Sequence, residues 1–228
     1  MSKLTKHYDQ LYKTSSEAIS AGKYAIDSEL KNESDSRFGI TLLIRPSDEI
    51  KANIQHFINE LKKAEPEQYF YPDSDIHITV MSIISCSTAF QLNQILPNEY
   101  IEIICRSLVD VDKIKIHYKG VTASPSAIMI QGFPSDETLN NLRNRLRENF
   151  KNSDLQQSID SRYEISTAHS TIMRFQEKLH DPKKLIQIAE KYRDYDFGEF
   201  DVKNIELVYN DWYQRKGTTR VLGDFGLR

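Results

Sequence analysis

The sequence predicts an α+β protein built on mixed or antiparallel sheets. Short strand-like runs alternate with amphipathic helical runs, and several of the strand runs are joined by turns too short to hold a crossover helix. The 228 residues are also 39% hydrophobic and 28% charged, which suits a packed core and argues against bulk disorder.

Taken in order, residues 3–31 are expected to form one amphipathic helix. Leu4, Tyr8, Leu11, Tyr12, Ala18, Ile19, Ala25, Ile26 and Leu30 fall near helical spacing, with Gly22 as its weak point. The polar run Asn32 to Ser36 ends it. Phe38 to Arg45 (FGITLLIR) is a short bounded apolar run, hence a buried strand. Pro46-Ser47-Asp48-Glu49 opens a helix to about Ala64, with Ile50, Ile54, Phe57, Ile58 and Leu61 on one face. Tyr69 to Tyr71 suits a short strand before Pro72, and Ile76 to Ser85 (IHITVMSIIS) is an alternating one.

Cys86 to Asn98 reads as polar loop and Tyr100 to Val109 as helix. Ile114 to Thr122 and Ala127 to Phe133 are strands joined by a Ser-Pro-Ser turn. Pro134 to Lys151 is a helix with Leu139, Leu142, Leu146 and Phe150 inward. On it Arg143, Arg147 and Lys151 read as a solvated basic stripe. A polar connector, Asn152 to Arg162, leads to a strand from Ile165 to Phe175. Asp181-Pro182 starts a helix to about Tyr192, Phe200 to Tyr213 is one strand, and Thr219 to Leu227 returns after the Arg215-Lys216-Gly217 turn. Residues 1–36 are thus a helical extension and 37–228 a single domain.

Charge and composition exclude several functions. Thirty Lys and Arg against 33 Asp and Glu give a net charge of −3, unsuited to tight binding of long DNA or RNA through many phosphates. A small phosphate-bearing partner remains open. No apolar stretch is long enough to span a bilayer, and Met1 to Leu11 shows no apolar secretory core. A cytoplasmic, monomeric protein is expected, with Cys86 and Cys105 reduced and in no zinc-binding spacing.

The informative feature is a repeated tetrapeptide, His77-Ile78-Thr79-Val80 and His169-Ser170-Thr171-Ile172, 92 positions apart. With six histidines and eleven threonines, about 0.3 H-x-T matches are expected by chance, and two or more arise in roughly 3% of such compositions. In a strand, residues i and i+2 share a face roughly 7 Å apart, so each motif presents an imidazole beside a hydroxyl. A hydrolytic displacement calls for a base to activate water and an acid to protonate the departing group. Histidine suits both tasks. The two hydroxyls can donate to oxygens on which charge develops, and the arrangement demands no metal or cofactor.

On these residues the sequence resembles the 2H phosphoesterases, named for two H-x-[ST]-x motifs on adjacent central strands, over roughly residues 37–228. The resemblance implies a two-lobed fold with two sheets around a central cleft and helices outside. It assigns acid and base roles to His77 and His169, and phosphate contacts to Thr79 and Thr171. It further implies hydrolysis of a 2′,3′-cyclic phosphate or a 2′-5′ phosphodiester on a nucleotide or short RNA end. The alternative is a non-catalytic module of the same fold that binds such an end. Tyr209, Tyr213 and Arg215, beside Trp212 in the late strand and turn, are the substrate-binding candidates, an aromatic being suited to stack on a base. Asp75 and Asp73 read chiefly as loop residues. Simple pleating sends Arg174 away from the face of His169 unless the strand is bulged.

Overall fold

The computed structural model describes residues 2–227. Helix α1 (Lys3–Ser20) is capped by the Ser2 hydroxyl, which accepts from the Thr5 amide. Strand β1 (Phe38–Ile44) leads to α2 (Asp48–Ala64), capped by Ser47 as its sequence signal requires. β2 (Tyr69–Phe70), β3 (Ile78–Ser87) and α3 (Pro97–Leu108) follow, then the hairpin of β4 (Lys115–Ser124) and β5 (Ala127–Pro134). α4 (Thr138–Lys151), β6 (Ser170–Arg174), α5 (Pro182–Lys191), β7 (Asp196–Asp201), β8 (Asn204–Asp211) and β9 (Arg220–Gly226) complete the chain.

The strands form two sheets. Sheet A has the order β3-β1-β8-β9 and sheet B the order β2-β6-β5-β4-β7. Every paired neighbour is antiparallel. Continuous burial, as along Ile40 to Ile44, reflects cover on both faces of β1. A single apolar cluster joins residues of both sheets and of all five helices. Helix α1 lies against β4 and α5, with Tyr8 and Ile19 fully buried. No helix among the described residues is long and apolar enough to cross a membrane.

Several boundaries differ from the sequence expectation. The first helix stops at Ser20 rather than running to residue 31, because Gly22 takes a left-handed backbone (φ 71°) and the Lys23 amide turns back to the Ala18 carbonyl. Only a one-turn 3-10 helix follows, at Ser28–Lys31. The Cys86 to Asn98 loop is shorter, since β3 runs to Ser87 and α3 starts at Pro97. The expected strand from Ile165 keeps sheet pairing only over Ser170–Arg174. Ahead of it, the Ile165 and Thr167 carbonyls accept from Arg147 and Arg143 of α4 instead of from a neighbouring strand. The long run from Phe200 to Tyr213 is divided. β7 belongs to sheet B and β8 to sheet A, so the chain crosses between sheets at Val202 and Lys203.

Bulges set which side chains share a face. Against β1, Thr79 pairs with Leu43 and Met81 with Leu42, leaving Val80 extra; Ile83 is extra in the same way between Ser82 and Ile84. In β6, Thr171 pairs with Met129 and Met173 with Ile128, which leaves Ile172 extra. Each extra residue reverses the alternation beyond it. Ser82 therefore joins the face of Thr79, and Arg174 joins the face of Thr171.

Candidate active site

Each histidine sits one residue ahead of a strand rather than inside it: His77 before β3 of sheet A, His169 before β6 of sheet B. β3 is an edge strand, and the motifs stand in different sheets rather than on two neighbouring central strands. They nevertheless meet. The Ser170 hydroxyl, between His169 and Thr171, donates to the His77 carbonyl at 2.6 Å. Tyr118 OH bonds Ser170 Oγ from beneath. A second tie comes from Arg143, which is fully buried. Its guanidinium donates to the Val80 carbonyl (3.1 Å), the Thr79 carbonyl (3.0 Å) and the Thr167 carbonyl (2.7 Å). One cation thus ties the backbone of the first motif to the segment leading into the second, and among the described residues no carboxylate pairs with it.

His77, Thr79, His169 and Thr171 line one cleft of about 170 Å³. The sequence-expected quartet is therefore brought together. Both imidazoles are half-buried. Nδ1 of His77 donates to the Asp75 carbonyl at 2.7 Å, a carbonyl being unable to donate, so Nε2 is the exchangeable nitrogen. Nδ1 of His169 meets the Thr167 hydroxyl at 2.7 Å. Burial pushes both rings down to about 4. At His77 the Asp75 carbonyl opposes that fall, while the charges of Arg45, His169 and Arg174 add to it. At His169 the charges of Arg143, Arg174 and His7 add to it, and nothing opposes it. A negative charge brought beside these two imidazoles would raise their proton affinity again.

Arg174, placed by the Ile172 bulge, lines the cleft and donates from Nε to Tyr71 OH at 2.8 Å; its nearest carboxylate, Asp27, stands at 3.9 Å. Arg162 lines it too, donating to the Cys86 carbonyl and lying 4.3 Å from the Trp212 ring centroid. Trp212, Gln214 and the exposed Tyr163 complete the rim. Tyr209, Tyr213 and Arg215 do not line the cleft. Tyr209 stacks on Phe38, with centroids 4.8 Å apart. Tyr213 is buried and donates to Asp27 at 2.8 Å. Arg215 donates to the Leu30 carbonyl at 2.7 Å. Asp75 orients His77 through its main chain, while its carboxylate accepts from Ser74 Oγ and the Lys216 amide. Among the described residues, no group of three or more His, Cys, Asp or Glu side chains is arranged to hold a metal ion.

Arg143 corrects the reading of α4 as carrying a solvated basic stripe. It stands four residues after Leu139 and three before Leu146, on the buried face, and that spacing was readable in the sequence. Arg147 is also occupied, in an ion pair with Asp160 at 2.6 Å.

Two antiparallel sheets that each deliver an H-x-T motif to one shared cleft define a 2H phosphoesterase fold. The family model described as the 2′-5′ RNA ligase superfamily matches residues 46–213, and the chain belongs to that superfamily. No curated protein matches the sequence. Among solved structures, the chain is similar to TT0787 of Thermus thermophilus, with a TM-score of 0.60 and 15% identity over 83% of this chain and 98% of that one. It is similar to Escherichia coli LigT complexed with 3′-AMP, with a TM-score of 0.55 and 14% identity over 84% and 98%. It is also similar to the Agrobacterium tumefaciens protein ATU0111, with a TM-score of 0.55 and 14% identity over 91% and 98%. At such identities the likeness is one of fold.

Proposed function

We propose that the protein is a metal-independent phosphodiesterase acting on a nucleotide or RNA end, where it opens a 2′,3′-cyclic phosphate or cleaves a 2′-5′ phosphodiester. The observation that carries this is the meeting of two imidazoles and two threonine hydroxyls on one cleft edged by Arg174 and Arg162. E. coli LigT has been crystallised with 3′-AMP, ATP and NADP+, which supports a nucleotide as the ligand class here.

In this reading one neutral imidazole takes a proton from water as the water oxygen bonds to phosphorus. The other, protonated once the anionic substrate has entered, gives its proton to the ribose oxygen as the P–O bond breaks. Thr79 and Thr171 donate to the non-bridging oxygens, and Arg174 supplies fixed positive charge. His77 and His169 divide the acid and base roles between them.

The test is hydrolysis of 2′,3′-cyclic nucleotides and 2′-5′-linked dinucleotides in EDTA, with wild type beside His77→Ala and His169→Ala. Turnover that survives chelation and is lost in both variants supports the proposal. Turnover retained by both variants refutes the two-histidine mechanism. Tight nucleotide binding without turnover by the wild type would instead favour a binding module.

A further inference from the structure

The residue between histidine and threonine differs between the two motifs. In the first it is Ile78, which joins the apolar core. In the second it is Ser170, polar and yet fully buried. Neighbouring residues of a strand point to opposite faces. Ser170 therefore turns its hydroxyl away from the cleft that His169 and Thr171 line, and it is not one of the cleft's own lining residues.

That hydroxyl is the middle of a directed chain. The His77 carbonyl can only accept, so the single Ser170 hydroxyl proton lies on that bond, at 2.6 Å. Ser170 Oγ is left as an acceptor, and Tyr118 OH must be the donor to it. Tyr118 is fully buried in β4. Burial pushes its hydroxyl up, away from ionisation, so the donor keeps its proton. Room for the phenol comes from its cross-strand partner Gly132, where an added Cβ would stand 2.9 Å from Tyr118 Cε1.

His77 has need of such an anchor. It lies one residue ahead of β3, and the pairing of β1 with β3 ends at Ile44 and Ile78, so no β1 residue is in register opposite it. Its ring bonds the Asp75 carbonyl, which belongs to the same loop. Ser170 reaches it from the other sheet.

We propose that Ser170 is a positioning residue, which sets His77 relative to His169 by tying the main chain of one motif to the other, with Tyr118 fixing the serine rotamer. The proposal rests on the phosphodiesterase reading and adds to it two groups that touch no substrate. Misplacing a reacting group by about 1 Å can cost about 10²-fold in rate, which is the scale of effect open to such an anchor.

The test sets Ser170→Ala, Tyr118→Phe and Ser170→Thr against Ser107→Ala. Ser107 of α3 is the matched control. It too is fully buried, donates to the Ile103 carbonyl at 2.9 Å and accepts from Asn149 at 2.8 Å, but it does not line the cleft. The readouts are kcat and KM for a 2′,3′-cyclic nucleotide or a 2′-5′-linked dinucleotide, and the imidazole NMR titration. Ser170→Ala should lower kcat by about 10–100-fold with KM within about threefold, and Tyr118→Phe should lower it by about 3–10-fold. The double variant should be no slower than Ser170→Ala, because the phenol acts through the serine. Ser170→Thr keeps the hydroxyl and should recover most of the lost rate, and Ser107→Ala should leave kcat unchanged. The His77 ring, at about 4 in the wild type, should titrate higher in Ser170→Ala and Tyr118→Phe as the loosened ring gains water. A folded Ser170→Ala whose His77 titrates as in the wild type, or which is no slower than Ser107→Ala, would overturn the positioning role. Should Ser170→Ala fail to fold, an unchanged His77 titration in Tyr118→Phe would overturn it. A wild type that turns over neither diester refutes the catalytic reading, while the His77 titrations still decide whether Ser170 and Tyr118 set that ring.

Discussion

Replacing Arg143 by methionine tests whether one buried cation holds the two motifs together. Burial pushes its guanidinium down to about 10, so the group stays charged at neutral pH. It donates to three main-chain carbonyls on two segments and, at 3.3 Å, to Asn140 Oδ1. Arg143→Met removes the partner of three buried carbonyls, at about 1–3 kcal/mol each. Against this, the folded protein no longer desolvates a cation, a relief of several kcal/mol. The losses exceed the relief because the methionine sulfur donates no hydrogen bond, and the net destabilisation is on the order of 3 kcal/mol. Arg143→Lys keeps the charge but cannot span both segments, and should cost about 1–2 kcal/mol. Urea unfolding followed by the fluorescence of Trp212, the sole tryptophan, reads both variants. Loss of this charge also raises the proton affinity of His169, visible as an upward shift in its imidazole NMR titration. A methionine variant within about 0.5 kcal/mol of wild type, with His169 titrating unchanged, would refute the clamp.

Three further outcomes are expected. His77→Ala and His169→Ala should each lower turnover by about 10²–10⁴-fold while the unfolding midpoint in urea moves little. Both histidines bind protons less readily folded, at about 4, than unfolded, at about 6.5. Their contribution is therefore intact above pH 6.5 and is lost as pH falls towards 4, by on the order of 3 kcal/mol for each ring; the double His77→Asn, His169→Asn variant should flatten that part of a stability–pH curve. At Gly132 an added Cβ would stand 1.9 Å from the Ala168 carbonyl oxygen and 2.8 Å from its carbon. Gly132→Ala should thus cost about 1–3 kcal/mol in a melt and displace His169, with turnover falling alongside.

Much of this site was legible because its chemistry is carried by residue types in a repeated local pattern. His77, Thr79, His169 and Thr171 needed only strand spacing to be paired, and the structure adds that both sheets feed one cleft. Arg174 was hidden by pleating: the extra residue Ile172 returns it to the motif face, and a bulge leaves no mark in alternation. Trp212 and Gln214 line the cleft while their neighbours Tyr209, Tyr213 and Arg215 do not, because the chain leaves β8 at Asp211 and strand alternation stops applying there. Arg162 and Tyr163 lie in a polar connector with no periodicity to read. Helices fared better, since caps such as Ser47 and Asp181 are local signals. The break at Val202 and Lys203 was missed because apolar residues continue across it on both strands.

That crossing bears on how the molecule comes to be built. Sheet A takes β1 and β3 from early in the chain, yet its second interior strand, β8, and its edge, β9, come from residues 204–226. As the polypeptide emerges from a ribosome, β1 and β3 can pair only as a two-stranded ribbon, which is marginal in water. β1 must wait for a partner made more than 150 residues later, so the sheet closes across a long loop and the pairing is slow. Sheet B gains its own last strand, β7, just before this crossing. The sheet that presents His77 therefore lacks an interior strand until every strand of the sheet that presents His169 has been made.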